Sequence, residues 1–524
     1  MLNKGKLLIE TLKHLKFSQL FNQISNRLKS KAYIKNSRLG RGVSINLSLA
    51  FKTVSIEGKY FDRNCFSFLN LQKQFDSSID WNYLDYGKLW NYNLEYFDYL
   101  HQEDVAVEEK LRLINDFYRF SVDHKRTLEP YPVSLRAINL VRFTCANKLG
   151  KKDFHDFLYK ELAYLNSNYE YHILGNHLLE NAFALCMGGA FFSNVDWHKR
   201  AVRILYTELT EQLHEDGAHF ELSPMYHKII FFRLLELIDW YSTYEKRDEA
   251  FVMFCRKKAS LMLDWMENIR FENGDIPLFN DAANGIAYAT SFLSDYAQRL
   301  GVHRSGISLN DSGYRSYKGN RYEIKMDLAQ IGASYQPGHA HADALSFILY
   351  YKGKPLFVEQ GTSTYQIGVR RDLERSTQAH NTVVVDGKNQ SQVWGGFRVA
   401  QRAKTTLHVD EEGLYEASHN GYQSSGVIHR RRFGCEVGRL EVTDILSGHS
   451  GNTCYLHIHP DRSIEILAEH HYRIDKHVDI KLDGAKEVYL DSYDYADTYN
   501  QYHNAQRLVI SFDRQLQTKI LFED

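Results

Sequence analysis

Chemistry-bearing side chains are densest in Gln336-Pro-Gly-His-Ala-His-Ala-Asp-Ala-Leu-Ser-Phe347. If this stretch is extended, His339 and His341 project from one face, so both imidazoles can reach one point or line one wall. Small neighbours (Gly338, Ala340 and Ala342) leave room for an approaching group. Downstream, Glu359 in Val-Glu-Gln-Gly and His380 in Ala-His-Asn-Thr-Val-Val-Val-Asp-Gly add a carboxylate and a third imidazole beside further strand-like runs. Neutral imidazoles and carboxylates are ordinary zinc ligands, so a His–Glu–His triad is one reading. One functional histidine among others satisfied by hydrogen bonds is the other.

A second group precedes it. Gly175-Asn176-His177-Leu-Leu-Glu180-Asn181 opens a helical run, with His177 and Glu180 one turn apart. An amide and an imidazole at a helix N-terminus can grip a carboxylate through N–H donors and the local dipole. Asn176 can equally be a simple cap, with Glu180 orienting His177. In His214-Glu-Asp-Gly-Ala-His-Phe-Glu221-Leu-Ser-Pro-Met-Tyr226-His227, Ser223 and Pro224 mark a helix start with Tyr226 in its first turn. Tyrosine serves as a general acid or base once neighbouring cations lower its pKa. Tyr365, Arg370, Arg371, Arg375 and Trp394 crowd later loops. They could meet carboxylates, sulfates or a sugar face, or be solvated charges and packing aromatics.

The elements that must position these groups change character once. From about residue 108 to 300, apolar side chains recur at helical spacing in successive segments. These are 111–122, 135–149, 154–165, 178–186, 202–213, 229–241, 250–269 and 286–300. Short polar connections predict antiparallel helical hairpins. After Gly301 the period becomes two, as in Tyr322–Leu328, Ala344–Tyr351, Thr382–Val385, Leu440–Leu446 and Arg507–Phe512. The expectation is an α+β multidomain chain. It comprises residues 1–60 with a basic helix and a short extended segment from Val43, a helical domain at 61–305, and an antiparallel β-sandwich at 306–524. Such a junction is a favoured place for a cleft.

Composition narrows the function. The 524 residues are too many for one core. A net charge of -1 gives no basic footprint for nucleic acid. The 35 tyrosines suit sugar-binding surfaces as well as cores. Six scattered cysteines form no CxxC pair and predict no disulfide framework; Cys145 and Cys186 read as core residues. The opening residues break every apolar run with a charge, and no stretch is apolar enough to span a bilayer. A cytoplasmic location is therefore expected, with a periplasmic or secreted one left open. The same opening segment is a basic amphipathic helix that can touch a membrane surface or a partner.

Taken together and in order, these motifs resemble the heparinase II/III-like and oligoalginate-lyase group of polysaccharide lyases. Asn176-His-Leu-Leu-Glu180, Glu221-Leu-Ser-Pro-Met-Tyr226, Gly338-His-Ala-His-Ala-Asp343, Glu359-Gln-Gly and His380-Asn-Thr-Val-Val-Val-Asp-Gly carry the resemblance, and Tyr131-Pro-Val-Ser-Leu-Arg136-Ala-Ile-Asn139 adds to it. It covers the span from roughly residue 80 into the β-region. The resemblance implies an incomplete (α/α) toroid followed by an antiparallel β-sandwich, and β-elimination at a uronic acid within a glycan. It implies Asn176 and His177 as carboxylate neutralisers, Tyr226 as proton carrier and His339 as base or part of the clamp. Arg136, Glu180, Tyr365, Arg371 and Trp394 become candidate substrate contacts. His341, Glu359 and His380 become ligands of a structural zinc, with Glu359 where the family commonly has Asp. A glycoside hydrolase using Asp216 and Glu221 and a non-catalytic glycan-binding or assembly protein are the alternatives.

Overall fold

The computed structural model describes residues 4–29, 31–34, 44–52, 58–448 and 451–523. Two helices, Lys4–Leu12 and Phe17–Leu28, come first. Val43 lies outside the described residues, and 44–52 form no strand. A three-stranded antiparallel sheet (Tyr60–Phe61, Cys65–Phe68 and Leu71–Gln74) precedes the helical half. Periodicity gave no sign of it, since its strands are only two to four residues long. Phe66 and Phe68 pack from it onto Tyr99 and Trp90, so the sheet continues the helical core.

Helices Val107–Asp123, Pro130–Ala146, Phe154–Ser167, Gly175–Phe191, Val195–Glu211, Pro224–Tyr241, Glu249–Ile269 and Thr290–Arg299 follow the predicted segments to within a few residues at most ends. Neighbours pack as hairpins around one large apolar core. The Gly175–Phe191 and Pro224–Tyr241 helices are buried almost all round. A helix apolar on every side belongs at the centre of a bundle, so the two helices that begin with the candidate residues are also the most enclosed.

The β half starts with a four-stranded antiparallel sheet of Tyr314–Lys318, Tyr322–Asp327, Phe347–Tyr351 and Lys354–Phe357. A ten-stranded sheet follows, built on the long pair Val478–Tyr495 and His503–Phe522. Residues from both sheets share one core, with Phe347 against Phe433 and Tyr322 stacked on Phe522. The architecture is therefore the expected α+β one. His339 and His341 depart from expectation, lying in a turn-rich buried loop rather than on a strand. Their backbone is held across the junction instead of in a ladder: Asp281 N donates to His339 O (3.0 Å), and His341 N donates to Asn280 Oδ1 (2.8 Å).

The two halves are joined by apolar and polar contacts. Phe271 stacks on Tyr350 at 3.6 Å, a pairing worth about 0.5–1.5 kcal/mol beyond the area it buries. Asp216 accepts from Asn310 N, Ser312 N and Ser312 Oγ at 2.9, 3.0 and 2.6 Å. Within the β half, fully buried Arg431 is bidentate to Asp444 (2.7 and 3.0 Å) and donates to the carbonyls of Leu345 and Asn381. It thus ties the sheet to the segments after His341 and His380. Removing one partner of such a pair strands a buried charge at a cost of about 3–5 kcal/mol. Arg431→Met should therefore destabilise the β half by about that much, read as a lower urea midpoint of its transition with the helical transition little changed.

Candidate active site at the junction of the two halves

Asp281 is the hub. Its Oδ2 accepts from His339 Nδ1 (2.9 Å) and from Arg371 Nη2 (2.7 Å). Its Oδ1 meets His341 Nε2 (2.8 Å) and Arg371 Nη1. Burial opposes the charge, but the Arg371 guanidinium and the two imidazoles hold this carboxyl well below the usual carboxylate range. An ionised Asp281 places a proton on His339 Nδ1, so in the neutral ring Nε2 is the acceptor. That nitrogen lies 3.8 Å from Glu221 Oε2.

Tyr226 stacks on His339 with ring centroids 3.9 Å apart. Ser223 Oγ caps its helix by accepting from Tyr226 N (3.2 Å), as the Ser-Pro pair predicts. The Tyr226 and Tyr365 hydroxyls are 3.2 Å apart, and Tyr365 packs edge-on against Phe397 and Tyr499. Burial pushes the Tyr226 phenol well above its ordinary pKa. At rest it is a neutral O–H, a proton donor rather than a standing base.

Asn176 is the second residue of its helix, not the cap; the cap position is Leu174, which supplies no side-chain bond. The anion at this N-terminus is Glu221, which accepts from Asn176 N (3.0 Å) and from Asn176 Nδ2 (3.1 and 3.0 Å). Gly175 has φ +59°, and a side chain there would collide with the Glu221 carboxylate. Leu174, Leu222 and Asn280 also have positive φ, next to Gly175, Glu221 and Asp281 respectively. Such backbone costs about 1–3 kcal/mol per residue and persists only where surrounding bonds over-determine it. Leu222 is held in this way, its carbonyl accepting from Tyr314 Oη (2.6 Å) and Asn280 Nδ2 (3.1 Å).

His177 is oriented by Glu170, not by Glu180. Its Nδ1 donates to Glu170 Oε1 (3.1 Å), and its ring lies 4.3 Å from that of Tyr131. Burial disfavours the imidazolium, yet the surrounding carboxylates, Glu170 foremost with Glu221 and Glu180, together hold the pKa above the ordinary histidine value. Glu180 instead accepts from Arg233 (2.9 Å) and is 1% exposed.

Arg136, 2% exposed, is bound to Glu161 and to Glu95 inside the helical half. It is a core cation that holds helices together rather than one facing a ligand. Arg371 is fully buried on Asp281 and the Gly396 carbonyl. Trp394 donates its indole N–H to Thr11 Oγ1 (3.1 Å) and carries Arg398 on its face. Asp281, Glu170, Phe397 and Tyr499 are the site residues that motif spacing missed. Of these only Asp281 had a local signal, the polar Asn-Asp pair inside Pro-Leu-Phe-Asn280-Asp281-Ala-Ala.

Among the described residues, no group of three or more His, Cys, Asp or Glu side chains surrounds a common point at metal-binding distance. The expected ligands are neighbours nevertheless. The His341 and His380 rings are 5.3 Å apart, and Glu359 bonds directly to His380 Nδ1. His341 Nδ1, His380 Nε2 and Glu359 Oε1 are each buried without a hydrogen-bond partner. Two imidazoles, each oriented by a carboxylate and each with one nitrogen unpartnered, have the donor chemistry of a zinc site.

Two sequence models adjoin along this chain: the heparinase II/III N-terminus matches residues 127–302, and the heparinase II/III-like C-terminal region matches residues 302–523. The chain belongs to the heparinase II/III-like family. A heparin-sulfate lyase of Bacteroides stercoris is 26% identical over 251 residues, covering 42% of this chain and 37% of that protein. The chain thus spans about two fifths of that relative's length. A solved heparinase III superposes with a TM-score of 0.66 at 16% identity, covering 97% of this chain and 89% of that one. A heparan sulfate lyase of Pedobacter heparinus gives 0.57 at 15% identity, covering 97% and 88%. These likenesses show a shared fold of helical toroid and β-sandwich.

Glu170→Gln should lower the His177 pKa, because it removes the carboxylate that favours the cation. An NMR titration of the imidazole checks this; an unmoved His177 titration would show that another group sets its charge.

Proposed function

We propose that this heparinase II/III-like chain is a polysaccharide lyase that cleaves a uronate-containing glycan, of glycosaminoglycan type, by β-elimination. The observation that carries the reading is the stacked pair of Tyr226 and His339, one an un-ionised phenol and the other an imidazole with its acceptor nitrogen defined by Asp281. The names of the relatives supply the substrate class.

In this mechanism the uronate carboxylate lies against the N-terminus of the Gly175–Phe191 helix. His177, biased toward the cation, meets its charge, and the Asn176 amide adds donors once it exchanges Glu221 for substrate. Masking the carboxylate lets charge develop on it as the C5 proton leaves. His339 Nε2 takes that proton, and the C5–H electron pair forms the C4=C5 bond as the C4–O4 bond breaks. Tyr226 delivers its hydroxyl proton to O4. Solvent then returns the proton on His339 to the tyrosinate, with Tyr365 bonded to its oxygen throughout. General acid–base steps of this kind contribute about 10²–10⁴-fold.

The hydrolase alternative loses its carboxylate pair, since both oxygens of Asp216 are engaged by the Ala218 and 310–312 backbone and the Ser312 hydroxyl. Zinc, if bound, would be held by His341 and His380 with Glu359 beside them. It would brace the loop that carries His339, with no part in proton transfer.

On a panel of uronate polymers, the enzyme should generate ultraviolet absorbance from unsaturated uronyl ends, and Tyr226→Phe should reduce that rate by about 10²-fold or more. Reducing ends accumulating without the chromophore would instead mean hydrolysis. Metal analysis of the purified protein should find zinc, and chelation should lower its melting temperature. A metal-free protein whose melting point ignores chelator and the His341→Ala/His380→Ala pair would remove zinc from the account.

A further inference from the structure

The helices Lys4–Leu12 and Phe17–Leu28 lie across both halves and face them with polar side chains. Gln19, 2% exposed, donates to the carbonyls of Ile173 (3.3 Å) in the helical half and Tyr335 (3.2 Å) in the β half. Asn26 meets His172 (3.0 Å), and Lys16 pairs with Glu211 while lying 3.9 Å from the Tyr335 ring centroid. Thr11 receives the Trp394 indole N–H. The contact is therefore mainly polar, with Leu7 the one buried apolar side chain of the pair, and it reaches both sides of the junction.

The apolar face points the other way. Phe17, Phe21, Ile24 and Leu28, at helical spacing, are 82%, 63%, 63% and 82% exposed. Leu8, Ile9 and Leu12 extend the exposed apolar surface on the first helix. An ordinary surface helix buries its apolar stripe and shows its polar one; in Phe17–Leu28 the arrangement is inverted, its one buried side chain being Gln19, while the first helix turns only Leu7 inward. Contiguous apolar surface of this kind marks an interaction site.

Charge identifies the occupant. The first 31 residues carry seven basic side chains (Lys4, Lys6, Lys13, Lys16, Arg27, Lys29 and Lys31) against one acidic, Glu10, in a chain whose net charge is -1. All of these except Lys16 and Glu10 are exposed. Aromatic and aliphatic side chains rimmed by lysines are the pattern that seats a helix in the interface of an anionic bilayer. No helix among the described residues is long and apolar enough to cross a membrane, so the contact lies in its plane.

We propose that the Lys4–Leu28 helical pair docks this protein on an anionic lipid surface. Ile173 and Tyr335 immediately precede the segments that carry Asn176 and His339, so docking fixes the cleft's orientation to that surface. The proposal is independent of the reaction catalysed in the cleft.

The test is co-sedimentation of the full chain with vesicles of equal parts phosphatidylglycerol and phosphatidylcholine, and with phosphatidylcholine alone. The wild type should bind the mixed vesicles, lose at least tenfold in partitioning on pure phosphatidylcholine, and lose binding as salt rises. A Phe17→Ser/Phe21→Asn/Ile24→Asn variant should lose at least tenfold on the mixed vesicles while keeping the wild-type melting temperature. Lys4→Glu/Lys6→Glu/Arg27→Glu should weaken binding with every apolar side chain in place. Absence of binding to mixed vesicles, or binding that ignores both variants, would overturn the proposal. So would a concentration-dependent dimer, seen by sedimentation velocity and abolished by the apolar triple variant, because it would assign the face to a second copy.

Discussion

The candidate site at the junction depends on one buried carboxylate being ionised. Asp281 sits out of contact with solvent, where an unpaired charge is prohibitively unfavourable. Arg371 makes the charge tolerable by a bidentate contact, and His339 and His341 complete its coordination. The same oxygens therefore balance a guanidinium, set a tautomer and anchor the loop between the two imidazoles. Arg371 comes from the short helix Val369–Glu374, Asp281 from the loop after the Glu249–Ile269 helix, and the histidines from the turn before Phe347–Tyr351. Without the charge on Asp281 these three segments would have no shared partner.

A second carboxylate does the matching work on the helical side. Glu221 sits against the N-terminus of the Gly175–Phe191 helix, with its other face toward His339. It occupies the kind of place a substrate carboxylate would take, where N–H donors and the helix dipole favour an anion. Leu174, Leu222 and Asn280, beside these two carboxylates, are among the non-glycine residues with positive φ. Strain held there by surrounding hydrogen bonds is the mark of a preorganised site.

The sequence made much of this legible, and the unreadable part has a physical reason. Helical period up to Ile269 and period two after Gly301 gave both halves, because each element buries one face over a long run. Ser223-Pro224 gave the helix start that aims Tyr226, since capping is a local interaction. Pairings across distance were hidden: Asp281 meets His339 and Arg371 from 58 and 90 residues away, and Glu221 meets Asn176 from 45. No spacing rule reaches that far. Arg136 shows the converse, an arginine in a suggestive motif whose buried pairing with Glu161 the motif did not disclose. The strand expected at His339 failed because alternating small residues there serve close approach to Asn280 and Asp281 rather than a pleat.

The central claim is that a uronate lies with its carboxylate toward His177, its C5–H toward His339 Nε2 and its O4 toward the Tyr226 hydroxyl. The most direct measurement is a crystal structure of the Tyr226→Phe protein with a uronate oligosaccharide bound. The account predicts one sugar ring spanning these three groups, with C5 within van der Waals contact of His339 Nε2. A ring bound with its carboxylate away from the Gly175–Phe191 helix, or with C5 out of reach of His339, would contradict it.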